Sequence, residues 1–183
     1  GSGVLFINQA HNRTPIVITF VSKSAPGSII IVHKKEDEKM EFRKVFDTIP
    51  HQFDRYRPRY CKNLFDDLIT FAEIGPKKTV LELGPGTGQA TDPILGTGCD
   101  YHAIEHLAAM MKKKYGAYPN FHILQDDFIT HDFGGQTFHL IYSAATIQWI
   151  PEDIAFSKTF DLLKPGGTLA MMLTKMDYKT PNE

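Results

Sequence analysis

Apolar residues group into short β-like runs near the start of the chain. From about residue 60 onward they alternate between such runs and helical stripes. Val4 to Ile7, Ile16 to Val21 and Ile29 to Val32 are rich in β-branched residues, which suit a pleated, half-buried surface. Asn12-Arg13-Thr14-Pro15 and Ser24-Ala25-Pro26-Gly27-Ser28 hold the turn residues between them. The last two runs, apolar on both faces, predict a hairpin packed on both sides. Phe42, Val45, Phe46 and Ile49 then recur at helical spacing up to Pro50. Leu64, Phe65, Leu68, Ile69, Phe71 and Ala72 mark an amphipathic helix that Gly75-Pro76 ends.

Beyond Pro76 strands and helices alternate. Strands are predicted over Thr79 to Leu83, Cys99 to Glu105, Phe121 to Leu124, Phe138 to Ser143 and Thr168 to Leu173. Helices are predicted over Gly88 to about Leu95, Ala108 to Tyr115 and Asp153 to Leu163. Pro93 inside the first of these implies a short or kinked helix. Such alternation predicts an α/β fold, a doubly wound and mainly parallel sheet with right-handed crossovers. Ligands of such sheets lie outside the carboxyl ends of the strands.

Composition narrows the classes. The chain has 183 residues, 42% hydrophobic and 22% charged, with a net charge of −1. It therefore has no global basic field, and the expectation is no nucleic-acid partner. No apolar run approaches the ~20 residues that span a bilayer, so no membrane partner is expected. The N-terminus shows no basic segment leading into an apolar one, and Cys61 and Cys99 suggest neither a disulfide framework nor a zinc site. A cytoplasmic protein with reduced thiols and no metal follows as the expectation. The run Lys34 to Lys39 reads as a solvated linker, and Met40 after it resembles an initiator. Residues 1–39 thus read as a β-rich segment apart from a domain over 40–183.

Candidate chemistry centres on Val80-Leu81-Glu82-Leu83-Gly84-Pro85-Gly86-Thr87-Gly88. A strand rises into an acid, three glycines follow at alternate positions, and a helix is predicted next. Glycine lets a ligand lie against bare backbone, and a following helix turns N–H groups and its positive end toward the turn. A dinucleotide turn has its third glycine three residues after the second. Here the gap is two, and Glu82 stands two before the first. An acid there would repel a pyrophosphate but attract a cationic amino group. Glu105 ends the next strand, 21 residues beyond Gly84. In a doubly wound sheet an acid at that separation reaches ribose hydroxyls. A bare structural turn and an exposed strand-end glutamate are the alternatives.

E-x-G-x-G-x-G resembles motif I of the class I S-adenosylmethionine-dependent methyltransferases, and the likeness extends over about residues 41–175. Leu162-Leu163-Lys164-Pro165-Gly166-Gly167-x-Leu169 and Ser143-Ala144-Ala145-Thr146-Ile147-Gln148-Trp149-Ile150 are further family-like phrases. The resemblance is closest to the small-molecule, methyltransferase-domain-11/25 type. No N-P-P-Y-like tetrapeptide, as in nucleic-acid methylases, follows the fourth strand. It implies a Rossmann-like fold, S-adenosyl-L-methionine as cofactor, S-adenosyl-L-homocysteine as product and a small-molecule acceptor. It assigns cofactor contacts to Glu82, Gly84, Pro85, Gly86, Thr87, Gly88, Glu105, Ser143 and Ala144. It also gives Asp127 the adenine amine and sets Phe128 beside the ring; Asp126 is the alternate, and turn capping would also explain both acids. Tyr56 and Arg57 resemble a segment that folds over the cofactor pocket. A surface turn or an aromatic-basic nucleic-acid contact are other readings of it. Gln148 and Trp149 would face cofactor or acceptor, with a core anchor the alternative for Trp149. His139 stands where the family usually has Asp and is given no chemistry beyond local pairing.

The resemblance implies transfer by in-line displacement, with the catalytic residue left unknown. The family fold normally ends with a helix and an antiparallel strand pair that complete a seven-stranded sheet. The sequence lacks these, so the N-terminal strands are candidates to replace them, as in a circular permutation, or form an unrelated appendage. A non-catalytic, rearranged cofactor binder and an NAD-dependent oxidoreductase remain as alternative functions. Oligomeric state is left open.

Overall fold

The computed structural model describes residues 4–7, 16–22, 60 and 62–174. Its strands are β1 (Val4–Ile7), β2 (Ile16–Ser22), β3 (Thr79–Leu83), β4 (Asp100–Ile104), β5 (Phe121–Leu124), β6 (Phe138–Ala144) and β7 (Leu163–Thr174). The helices are α1 (Lys62–Phe71), α2 (Thr91–Leu95), α3 (Ala109–Tyr115) and α4 (Glu152–Leu162), with a 3₁₀ turn at Ile147–Trp149. The seven strands form one sheet in the order β1-β2-β7-β6-β3-β4-β5. From β7 to β5 every pairing is parallel. The chain runs from β3 out to β5, then returns to β6 on the other flank of β3. That reversal makes the carboxyl end of β3 the topological switch point, where such sheets bind ligands.

The N-terminal strands belong to this sheet. β2 runs antiparallel to β7 from Ile16↔Thr174 to Ser22↔Thr168, and β1 runs antiparallel to β2. They extend the sheet on the β7 side. Over Ile16 to Thr19 both edges of β2 are taken, by β1 and β7. The described pairing of β2 is with β1 and β7, and the predicted hairpin of the second run with the third is not among the described residues. The run Ile29 to Val32, the predicted helix over Phe42 to Ile49, and Tyr56 and Arg57 lie outside the described residues.

Two further differences concern boundaries. The first crossover helix begins at Thr91, not Gly88. Gly86 and Gly88 sit at φ +57° and +80°, which a right-handed helix excludes, so a hydrogen-bonded turn fills the interval. Pro93 falls in the first turn of α2, where its missing N–H leaves no bond unmade. With only five residues, α2 is not the helix terminus that the glycine turn was expected to face. Strand β7 begins at Leu163, with Lys164-Pro165-Gly166-Gly167 as a wide bulge between the pairs Phe138↔Leu163 and Leu140↔Thr168. Gly166 at φ +77° makes the bend.

Strand alternation divides the core into two layers. Val80, Tyr101, Leu140 and Tyr142 pack with Leu64, Leu68, Ile94 and Met111 from the helices on one face. Leu81, Leu83, Ile104 and Ile141 pack with Phe128, Phe133, Leu162 and Leu169 on the other. No helix among the described residues is long and apolar enough to cross a membrane.

Candidate functional site

The three glycines after β3 do three different things. Gly84 makes room for Thr146: a Cβ there would lie 2.4 Å from Thr146 Cγ2. The Thr146 hydroxyl donates to the Gly84 carbonyl at 2.9 Å. Gly88 lies under Tyr115, whose ring would be 2.7 Å from a Cβ and whose hydroxyl donates to the Gly88 carbonyl at 3.0 Å. Gly86 faces open space, with nothing within 4 Å of a Cβ. Its N–H donates to Glu105 Oε2 at 2.9 Å. Pro85 is buried, and its carbonyl accepts the Gly88 N–H at 2.9 Å; Thr87 is half-buried. Of the five turn residues read as cofactor contacts, Gly86 is thus the one that presents exposed backbone.

Glu82 is fully buried. Strand alternation points it to the helix-covered face, directly opposite Tyr142 on β6. Its Oε2 accepts from the Thr91 hydroxyl at 2.7 Å and from the Tyr101 hydroxyl. Tyr101 in turn meets the Tyr142 hydroxyl, which donates to the Ala90 carbonyl at 3.2 Å. Glu82 Oε1 has no hydrogen-bond partner among the described residues. Loss of hydration pushes its pKa from the ordinary 4.5 up to about 7, against the hydrogen bonds from Tyr101 and Thr91 that lower it. Tyr101 and Tyr142 are pushed well above the usual phenol range, first by burial and then by the Glu82 charge, so both stay protonated donors.

The remaining predicted residues that are described lie at or just beyond the carboxyl ends of β4, β5 and β6. Glu105 follows β4; its second oxygen accepts the Leu107 N–H at 3.3 Å. Asp126 and Asp127 follow β5. Asp127 Oδ1 accepts the Ile129 N–H at 2.9 Å, a turn-capping bond, and Asp126 pairs with His131 at 2.8 Å. The Phe128 ring is buried beside Phe133, with the Lys158 ammonium 5.2 Å above it. Ser143 is buried at the end of β6, and its Oγ accepts the Thr146 and Ile147 N–H groups at 3.3 and 2.8 Å. It shapes the loop with its side chain. Ala144 is half-buried; Ala145 beyond it is held at φ +62°. Gln148 donates to the Ala145 carbonyl at 3.0 Å, and its buried Oε1 has no partner among the described residues. Trp149 is half-buried and outside both core layers. His139 pairs away from this edge: its Nδ1 lies 3.0 Å from the Thr79 amide nitrogen across the strand boundary, so its partner is not local.

Sequence reasoning missed Thr146, Tyr101, Tyr142 and Tyr115. The two tyrosines on β4 and β6 carried a signal, since in-register parallel neighbours of β3 with matching alternation must face the side chain of Glu82. Thr146 and Tyr115 carried none.

The profile of the family described as "Methyltransferase domain" matches residues 80–167, the span from β3 into the bulge of β7. Over these residues the chain carries a methyltransferase domain, similar to the class I S-adenosylmethionine-dependent methyltransferases. In fold it is similar to the CcbJ methyltransferase from Streptomyces caelestis, with a TM-score of 0.55 and 22% identity, covering 68% of this chain and 55% of that one. Among curated proteins it resembles ribosomal RNA small subunit methyltransferase A of Synechococcus sp. (strain JA-3-3Ab). The two are 29% identical over 90 residues, 44% of this chain and 32% of the relative. It also resembles the malonyl-[acyl-carrier protein] O-methyltransferase of Marinomonas sp. (strain MWYL1), at 26% over 137 residues, 70% of this chain and 50% of the relative. The chain thus spans from a third to a half of the length of these curated relatives. The ribosomal RNA methyltransferases among them correct the expectation that nucleic acid has no place among the partners. A balanced net charge argues only against a global basic field; it does not speak to a local contact by one edge of the sheet.

Proposed function

We propose that this methyltransferase-domain chain binds S-adenosyl-L-methionine across the carboxyl ends of β3, β4, β5 and β6 and passes its methyl group to a small-molecule acceptor. The observation that carries the reading is Gly86. It is a left-handed glycine with open space above it, and its N–H is tied at 2.9 Å to the half-buried carboxylate of Glu105. The groups present fit such a cofactor. Gly86 lets it approach bare backbone, and Glu105 offers lone pairs to ribose hydroxyls beyond the two bonds it already accepts. The unpartnered Oε1 of Glu82 suits the cationic amino end, since a buried carboxylate oxygen gains most from a charged donor. Asp127 and the backbone at Phe128 would meet the adenine. Gln148 would orient the acceptor with its unpartnered oxygen.

When bound, the cofactor supplies an electrophilic sulfonium methyl and a neutral thioether leaving group. The chain's residues align the acceptor and keep water out, so the rate depends on positioning more than on an obligatory base. The malonyl-[acyl-carrier protein] O-methyltransferase, named for a malonyl group on a carrier protein, shares 137 residues with the chain against 90 for the ribosomal RNA methyltransferase, which favours a small acyl group as the accepting moiety. Ser143-Ala144-Ala145-Thr146 at the end of β6 also differs from an N-P-P-Y-like tetrapeptide.

Calorimetric titration with S-adenosyl-L-homocysteine tests the first half, and micromolar affinity is expected. Transfer of labelled methyl to a panel of small acids, thioesters and amines, with small-subunit ribosomal RNA beside them, tests the second. A folded protein that binds no S-adenosyl-L-homocysteine would overturn the whole reading. Label appearing in RNA and in no small molecule would overturn the acceptor alone.

A further inference from the structure

At the opposite end of the strands, three side chains with metal-ligating atoms converge. Asp100 opens β4, and His102 follows two residues later on the same face. His122 on β5 is the in-register partner of His102. Asp100 Oδ2 lies 3.2 Å from His102 Nε2, and its Oδ1 lies 3.1 Å from His122 Nε2. One ligand atom from each residue fits within 4.8 Å of the others. Tetrahedral ligands at the ~2.0–2.1 Å bond lengths of zinc stand about 3.4 Å apart. The carboxylate-to-imidazole distances of 3.1 and 3.2 Å are close to that spacing, and all three ligand atoms lie within 4.8 Å of one another.

We propose that Asp100, His102 and His122 form a binding site for a divalent transition metal of the zinc type. Two imidazoles and a carboxylate are the donors such metals prefer over the all-oxygen sets of calcium and magnesium. Three protein ligands leave a fourth place for water or for Gln136. The side-chain amide of Gln136 stands 3.3 Å from His102 Nε2, and turning it over presents its oxygen instead. Packing fixes the innermost ligand: the His102 ring meets Phe138 edge to face at 5.6 Å. The Asp100 and His122 side chains are about half exposed, which gives an ion its way in.

The site is structural. Asp100 and Glu105 are five strand residues apart, roughly 15 Å along β4, so the metal is remote from the proposed transfer. β5 has four residues and is the edge of the sheet. A metal shared by Asp100, His102 and His122 pins that short edge strand to β4.

The test uses tag-free, chelator-treated protein, since the chain has eight histidines. Thermal melts with and without Zn²⁺ are paired with a Co²⁺ titration read by visible absorption. Zinc at a hundredfold over its Kd should raise the Tm of the wild type by about 5–10 °C. A chelator should reverse the shift. In His122→Ala and Asp100→Asn the shift and the cobalt band should both vanish, while S-adenosyl-L-homocysteine affinity, which reports the fold, stays within twofold. No shift in the wild type, or an equal shift in His122→Ala, would overturn the site.

Discussion

Glu82 makes the sharpest test of how burial and chemistry are coupled here. Replacing it by Gln keeps the shape and the acceptor for Thr91 and Tyr101 but removes the titration. Burial holds the carboxyl pKa at about 7 against an ordinary 4.5. At ~1.4 kcal/mol per pH unit the difference is about 3 kcal/mol. The folded pKa is raised, so the contribution to stability is present in full below pH 4.5. It is lost as the pH climbs through about 7, because the folded state must then carry a buried charge. Urea unfolding of both proteins at several pH values between 4.5 and 8 measures this, with the other titrating groups cancelling in the difference. Wild-type stability minus that of Glu82→Gln should fall by about 3 kcal/mol over the range. A difference flat to within ~0.5 kcal/mol, the size of an ordinary surface effect, would refute the reasoning. A second arm ties the effect to the proposed cofactor. An ammonium against Oε1 would stabilise the ionised form, so saturating S-adenosyl-L-homocysteine should flatten the wild-type profile.

Other predictions concern the rim. Glu105→Ala should weaken S-adenosyl-L-homocysteine binding about 10–100-fold, the scale of a lost charged acceptor; calorimetry would show it, and unchanged affinity would remove Glu105 from the site. Gly86→Val should abolish binding in a protein that still melts cooperatively at a lower midpoint, since the side chain enters open space but φ +57° strains a β-branched residue. Gly88→Ala should lower stability by about 1–3 kcal/mol, because its Cβ meets the Tyr115 ring as well as a positive φ; calorimetric titration with S-adenosyl-L-homocysteine separates these two glycines. Ser143→Ala removes the acceptor for two loop N–H groups and should cost about 1–2 kcal/mol in the same assay.

Local pattern was enough for the parallel half of the sheet. Thr79–Leu83 and Phe121–Leu124 appear where alternation and β-branching put them, and β4 and β6 differ by a residue at their ends. What pattern could not supply was pairing over long separations. Choosing which N-terminal run lies beside β7 requires comparing edges more than 140 residues apart in sequence, and adjacent runs with similar composition look equally suited. The glycine turn shows the same boundary inside the candidate site. Its three glycines are equivalent as sequence, yet Gly84 answers to Thr146, 62 residues on, and Gly88 to Tyr115, 27 residues on. Only Gly86 keeps the freedom that the motif advertises for all three. Asp100, His102 and His122 were invisible for a related reason. A strand displays alternate residues on one face, but joining two strands into a ligand set needs their register. The sheet that aligns Glu82, Glu105 and Gly86 at one end of β3 and β4 also brings two imidazoles to one carboxylate at the other. The β3–β4 register sets the proposed cofactor site and the β4–β5 register the proposed metal site, one legible as a motif and one only as a consequence of the fold.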